Sequence, residues 1–212
     1  ELHRGMTLTR PGVWEATDVA DVRLELVSGA PPLRHGAPVH FHAWTAETEA
    51  EVRLFSAAAP LEPGESGLAR LLLREPVLLK PGDRFIVRRF SPLETIGGGV
   101  VIDTQPPLRM KKALAAARLA ELEGAAIERR LALWAAEEPR GAAAARLAAR
   151  AGLAPEQVPV LTAGAGLVML RGEPVRVTTR ERVLEEATRL RERVEQFHRE
   201  NPLLPGMPRA SA

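Results

Sequence analysis

With 212 residues the chain is longer than one small domain needs, so two or three folded units are expected. A net charge of +2, from 29 Lys and Arg against 27 Asp and Glu, excludes a uniformly basic nucleic-acid coat and leaves only local patches. The absence of cysteine excludes a disulfide, a thiolate zinc site and a cysteine nucleophile, and no apolar run approaches the ~18 residues of a membrane span.

The first residue is Glu, which suggests a piece of something longer. Lys80, Lys111 and Lys112 are the only lysines. Arginine and alanine enrichment looks like a GC-rich coding bias, which lowers the functional weight of any single arginine. His3 to Leu8 reads as a short strand closed by turn chemistry at Pro11 and Gly12. From Asp21 onward Val22, Leu24 and Leu26 alternate with Asp21, Arg23 and Glu25, so one strand face is expected to be buried and the other wet. Further strands are predicted at 39–43, 50–55, 67–73, 84–90 and 95–103, separated by turn signals at 29–32, 60–64 and 81–82. Six short strands at regular spacing predict a closed antiparallel β-barrel of about 90 residues.

Within the barrel, Pro81, Gly82 and Asp83 form a turn from which Arg84 can start a strand cleanly. Ile86 breaks the alternation of Phe85 and Val87 with Arg84 and Arg88, which predicts a strand covered on both faces for part of its length. Ser91 and Pro92 end that strand, and Thr95 resumes an extended run through Gly97, Gly98 and Gly99. A phosphate-cradling loop needs a Lys-Ser/Thr pair opening a helix, whereas Val100, Val101 and Ile102 follow here as a strand. The glycines are therefore read as a sharp bend or close strand packing at a barrel corner. His35, His40 and His42 fall near one another, with His40 and His42 on one strand face. Lacking a third ligand such as cysteine, they read as ordinary surface or hydrogen-bonded histidines before they read as a metal site.

Pro106 and Pro107 cannot continue a strand ladder, and helical periodicity follows. A helix is predicted over 108–123, with a break at Gly124 and a second helix carrying Ile127, Leu131 and Trp134 on one face. A short alanine-rich helix over 142–150, a turn at Gly152 and a helix opening at Pro155 lead to strands at 167–170 and 175–177. Three helices and a β-hairpin predict a winged helix. Thr178 with Glu181 reads as a capping box for a long helix, with Val183, Ala187, Leu190, Val194 and Phe197 as a packing stripe.

The run Gly82-Asp83-Arg84-Phe85, followed by Ser91-Pro92 and by Thr95-Ile96-Gly97-Gly98-Gly99-Val100-Val101, resembles the closing segment of the third domain of the selenocysteine-specific elongation factors, the SelB family. It is more distantly similar to the end of elongation factor Tu. Phe197 to Gly206 resembles the opening of the second winged helix of the same family. The resemblance implies a mixed, multi-domain chain: the end of a preceding β-barrel over 1–15 and a barrel like domain III of elongation factor Tu over 16–107. A winged helix over 108–178 follows, then a linking helix and the truncated start of another winged helix over 179–212.

This resemblance also implies a function. The family is a cytoplasmic, monomeric translational GTPase that carries selenocysteinyl-tRNA to the ribosome at a recoded UGA and recognises an mRNA hairpin through its most C-terminal domains. GTP and Mg would belong to an N-terminal domain outside this chain, and for this piece neither catalytic nor metal-binding residues nor a cofactor are expected. In elongation factor Tu the third barrel touches the tRNA backbone through the loop that corresponds here to residues 88–95. Arg84, Arg88, Arg89, Ser91 and Thr95 are therefore the tRNA-contact candidates, joined by Arg34 and His35, which echo an Arg-His pair in the related barrel. Arginine suits bidentate phosphate contacts and hydroxyls single ones. The plain alternative is that these arginines pair with surface carboxylates. A winged-helix DNA-binding regulator with a β-barrel sensor is the rival function. It needs a basic or amide-bearing second helix, and 155–163 offers one Gln and no Lys or Arg. A hydrolase using the histidines lacks a nucleophile. Arg146 and Arg150 are expected to have no RNA role.

Overall fold

In the computed structural model, which describes residues 4–10, 13–56 and 60–208, the alternation read from the sequence becomes the inside and outside of a barrel. On β1 (Thr17–Leu26) the side chains of Ala20, Val22, Leu24 and Leu26 point into a dry core. Val39 and Phe41 of β2 (Ala37–Ala43), Val52 of β3 (Ala46–Leu54), Leu71 of β4 (Ser66–Val77), Phe85 and Val87 of β5 (Arg84–Arg89) and Ile96 of β6 (Glu94–Asp103) join them. The six strands close in the order β1-β4-β3-β2-β5-β6, antiparallel throughout. Residues 4–10 form no strand and leave Met6 and Leu8 exposed, because no barrel edge remains for them to pair with. His3, Pro11 and Gly12 lie outside the described residues.

Closure depends on Gly97, Gly98 and Gly99. A Cβ on Gly97 would stand 2.3 Å from the Glu25 carbonyl oxygen, one on Gly98 2.6 Å from that of Phe85, and one on Gly99 1.8 Å from that of Arg23. None of the three has a positive φ, so the need for glycine is steric: β6 is squeezed between β1 and β5. Ile86 is 45% exposed, which corrects the expectation of a strand covered on both faces.

Beyond the barrel come α1 (Lys112–Leu122), α2 (Ile127–Glu137), β7 (Ala142–Ala143), α3 (Ala144–Ala151), a 3-10 turn (Pro155–Gln157), α4 (Val158–Gly164), β8 (Leu167–Leu170), β9 (Arg176–Thr179) and α5 (Arg180–Glu200). Strand β7 was read as helix; Ala142 and Ala143 instead pair with Val177 and Arg176, giving a three-stranded sheet in the order β7-β9-β8. Gly152, at φ +72, caps α3 in the left-handed region that glycine tolerates best. The cap of α5 is Thr179, whose hydroxyl accepts from the Arg182 N–H, while Thr178 is buried one residue earlier. No residue of α5 is buried, so its apolar stripe is half-covered at Val183, Val194 and Phe197 and open at Ala187 and Leu190.

The core of this second part contains Leu119, Leu122, Leu131, Trp134, Leu147, Val158 and Val177, and Ile102 of β6 enters it from the barrel. The outer face of β1 is consequently not wet at Asp21, which is fully buried under the packed helices. Asp21 lies opposite Asp103 in the β1–β6 ladder and accepts from Arg70 at 2.7 and 3.0 Å. Asp103, also fully buried, accepts from Arg150 of α3 at 2.9 and 2.7 Å and from Arg118 of α1 at 2.5 Å. Both arginines also engage Glu137 of α2. Three carboxylates thus meet three guanidiniums at the junction, and the Arg150 guanidinium lies 4.8 Å from the ring centroid of Trp134. Burial by itself would raise the Asp103 carboxyl, but the hydrogen bond from Arg150 and the charges of Arg150 and Arg118 together hold it below the usual carboxylate range. At Asp21 burial outweighs Arg70, and its carboxyl is raised. A second bridge, Arg23 to Glu123, ties β1 to the end of α1.

Candidate nucleic-acid interface

The period-two pleat of β5 turns Arg84, Ile86 and Arg88 outward while Phe85 and Val87 fill the core. Across the ladder His40 of β2 pairs with Arg88 and His42 with Ile86, so the two histidines share the arginines' face. On the other side Arg88 pairs with Thr95 and Arg89 with Glu94, after a register shift between Val87 and Arg88 that re-aims the end of β5. Phe90 packs against His40 with ring centroids 4.0 Å apart and the rings tilted by 39°, and it is 42% exposed.

Arg88, Arg89, Ser91 and Thr95 gather at one end of this face, around the β5–β6 turn. Arg34 and His35, which lead into β2 and are exposed, lie at the same end because β2 runs antiparallel to β5. His35 is anchored there by a hydrogen bond between Nδ1 and the Leu54 carbonyl at 3.2 Å. Arg84 stands apart, at the far end of β5 opposite Val100.

The ion pairing of the barrel arginines is sharply divided. Arg23, Arg53, Arg70 and Arg74 each hold a carboxylate. Arg34, Arg84, Arg88 and Arg89 form no ion pair among the described residues, although Glu94 lies opposite Arg89. The Arg89 guanidinium instead donates through Nε and Nη2 to the Ser91 carbonyl at 3.0 and 2.8 Å, which pins it over the turn and occupies one edge of its fork. Arg88 is half-buried with a buried Nε that has no partner. Burial pushes the His42 imidazole down, and Arg88, His40 and Arg4 add to this against the opposing charge of Glu47. Phe90 and His40, an aromatic pair among cations, were missed as site residues in the sequence; the signal is a solvent-facing aromatic beside arginines.

His35, His40 and His42 bring together no metal-ligating group of three or more among the described residues. The three glycines do not fit a nucleotide phosphate, because the space at each is closed by a strand carbonyl oxygen, an acceptor that repels an anion. On α4 the residues are Val158, Pro159, Val160, Leu161, Thr162, Ala163 and Gly164, none of them cationic, so this helix cannot read a groove as a DNA regulator requires.

The described residues thus form a closed antiparallel barrel with an α+β unit packed against its last strand. The solved structure titled "Crystal structure of bacterial selenocysteine-specific elongation factor EF-Sec" superposes with a TM-score of 0.63 over 90% of this chain and 28% of that one, at 16% identity, a level that speaks for the fold alone. Residues 19–108 match the family model described as "Selenocysteine-specific elongation factor, beta-barrel domain". The "Selenocysteine-specific elongation factor" of Desulfomicrobium baculatum is 39% identical over 104 residues, 49% of this chain and 16% of that protein. Residues 19–108 are thus similar to the β-barrel domain of the selenocysteine-specific elongation factors, the SelB family, and the chain spans under a third of the length of the relatives it matches. No helix among the described residues is long and apolar enough to cross a membrane.

Proposed function

We propose that this chain is the part of a selenocysteine-specific elongation factor in which the barrel grips the selenocysteinyl-tRNA backbone. The observation that carries this is the gathering at the β5–β6 end of Arg34, Arg88 and Arg89, three of the four barrel arginines that hold no carboxylate among the described residues, while Arg23, Arg53, Arg70 and Arg74 are neutralised. A guanidinium with no carboxylate has open donors for a phosphate, and the Ser91 and Thr95 hydroxyls can add single bonds. Arg84, at the far end of β5, is a more distant contact.

On this reading the elements from α1 to β9 form a winged helix that links the barrel to further winged helices reading the mRNA hairpin. The proposed divisions are the end of a preceding barrel over 1–15, the barrel over 16–107, the winged helix over 108–178 and the start of a second over 179–212. The whole factor delivers its tRNA to the ribosome at UGA in the cytoplasm, as a monomer, with GTP and Mg held by a separate GTPase domain. This chain contributes positioning and no catalytic step.

The test is binding to an acceptor–T-arm RNA by the variant carrying Arg88→Glu and Arg89→Glu against one carrying Arg129→Glu and Arg146→Glu on the helical part. The barrel pair is expected to weaken binding at least tenfold with an unchanged melting curve, and the helical pair to change it less than twofold. Equal losses would mean generic charge attraction, and no loss from the barrel pair would remove the tRNA face.

A further inference from the structure

At the opposite end of β2 from Arg34 the chain turns back through Trp44 and Thr45, with Ala43 paired to Ala46 across the hairpin. Trp44 has φ +54 and is the only non-glycine residue with a positive φ among the described residues. The first position of so tight a hairpin favours glycine, because a side chain there crowds its own backbone. The indole kept in this strained place is 78% exposed, so it repays none of the cost by packing. Held at that expense in solvent, it is a surface waiting for a flat partner.

Beneath it lies a cavity of about 380 Å³, lined by Trp44, Trp14, Thr45, Lys80, Asp83 and Gly152. The floor is built firmly. Asp83 accepts from the Lys80 backbone N–H at 2.9 Å, so its carboxylate is engaged in the turn. The Lys80 stem packs on Gly152 at the end of α3, where a Cβ would come within 3.2 Å of the Lys80 Cβ. Two indoles, one ammonium and a hydroxyl are the groups that hold a planar heterocycle joined to a phosphate: π-faces for the ring and a cation for the anion.

We infer that this cavity binds an unpaired nucleotide, its base stacked on Trp44 and its phosphate drawn to Lys80. The ligand is either a free nucleotide or an unstacked nucleotide of a single-stranded RNA. The site shares no residue with the arginine face at the β5–β6 turn, so the two readings stand or fall separately.

Tryptophan fluorescence titrations of the whole chain with adenosine 5′-monophosphate, an oligoadenylate RNA and inorganic phosphate test it. Saturable quenching by the mononucleotide is expected. Equal molar affinity of mononucleotide and oligomer assigns the site to free nucleotides, and at least tenfold tighter oligomer binding assigns it to RNA strands. Trp44→Gly is expected to weaken binding about tenfold, the loss of one stacking contact. The same variant should melt roughly 4 °C or more above the parent, because the hairpin strain is relieved. Lys80→Met, which keeps the stem on Gly152, should weaken the mononucleotide while leaving adenosine unaffected. Absence of saturation by ~10 mM mononucleotide, the weak end of specific binding, overturns the assignment. So does a Trp44→Gly chain that binds like the parent, or quenching by phosphate alone at the same concentration.

Discussion

Arg150 and Asp103 face each other fork to fork across the boundary between barrel and helices, Nε on Oδ1 at 2.9 Å and Nη2 on Oδ2 at 2.7 Å, both side chains buried. A buried ion pair of this kind often adds little net stability against an apolar replacement, since both charges lose their water. Removing one partner is different, because it strands the other charges in a dry place. Asp103→Asn is therefore expected to destabilise the chain by about 3–5 kcal/mol in chemical denaturation. Asp103→Leu together with Arg150→Met should cost clearly less than Asp103→Asn. A double variant as unstable as the single one would show that the pair is not acting as a unit.

The same carboxylate sets a pH dependence. The native Asp103 carboxyl titrates below its unfolded value, so the native state binds fewer protons than the unfolded state between the two. Its stabilisation is complete above the unfolded carboxylate value of about 3.9 and is lost as pH falls through the depressed native one. The stability gap between the parent and Asp103→Asn should thus be constant from pH 7 to 5 and close below about pH 4. A gap that closes already between pH 7 and 5 would contradict this.

The glycine run gives a steric prediction with an internal control. Gly99→Ala pushes a methyl to 1.8 Å from a backbone oxygen of β1, which cannot move without opening the barrel. A loss of at least about 3 kcal/mol is expected, at the upper end for overpacking. Gly67→Ala meets only the Leu61 side chain, at 3.2 Å, and should cost less than about 1 kcal/mol. Thermal melts of the two variants should separate clearly; equal melting temperatures would mean that closure does not depend on the side-chain-free strand.

Salt dependence tests the arginine face in another way. With about three phosphates neutralised, the slope of log affinity against log salt should be roughly −2 to −3, and Arg88→Glu with Arg89→Glu should flatten it by about 1–2. A slope near −8 would implicate far more of the surface than this end of the barrel.

Much of the barrel was legible, because period-two burial is a local property: each strand carries its own inside and outside, as Val22, Leu24 and Leu26 do. Strand β7 was not, since two alanines beside an alanine-rich helix have no signal of their own and become a strand only through Val177 and Arg176. The junction was equally hidden. Asp21 sits on what alternation assigns to the wet face, and Arg150 was set aside as an ordinary helix cation, yet both are buried once α1, α2 and α3 lie against the barrel. At the candidate interface the arginines could be named from the strand, but their freedom from carboxylates is a fact of three-dimensional pairing that no spacing encodes. Trp44 left no mark either, because turn patterns are recognised by their glycines and this one has none.

Helix α5, with its 21 residues, rises from the same helical part that the ionic junction holds to the barrel. At 1.5 Å per residue it is an arm of about 31 Å. A tilt of only 5° where Arg118 and Arg150 meet Asp103 sweeps the far end of that arm through roughly 3 Å, which is half a helical turn. The junction therefore sets the aim of whatever the arm carries, and a small loosening at its base is read out, enlarged, at its tip.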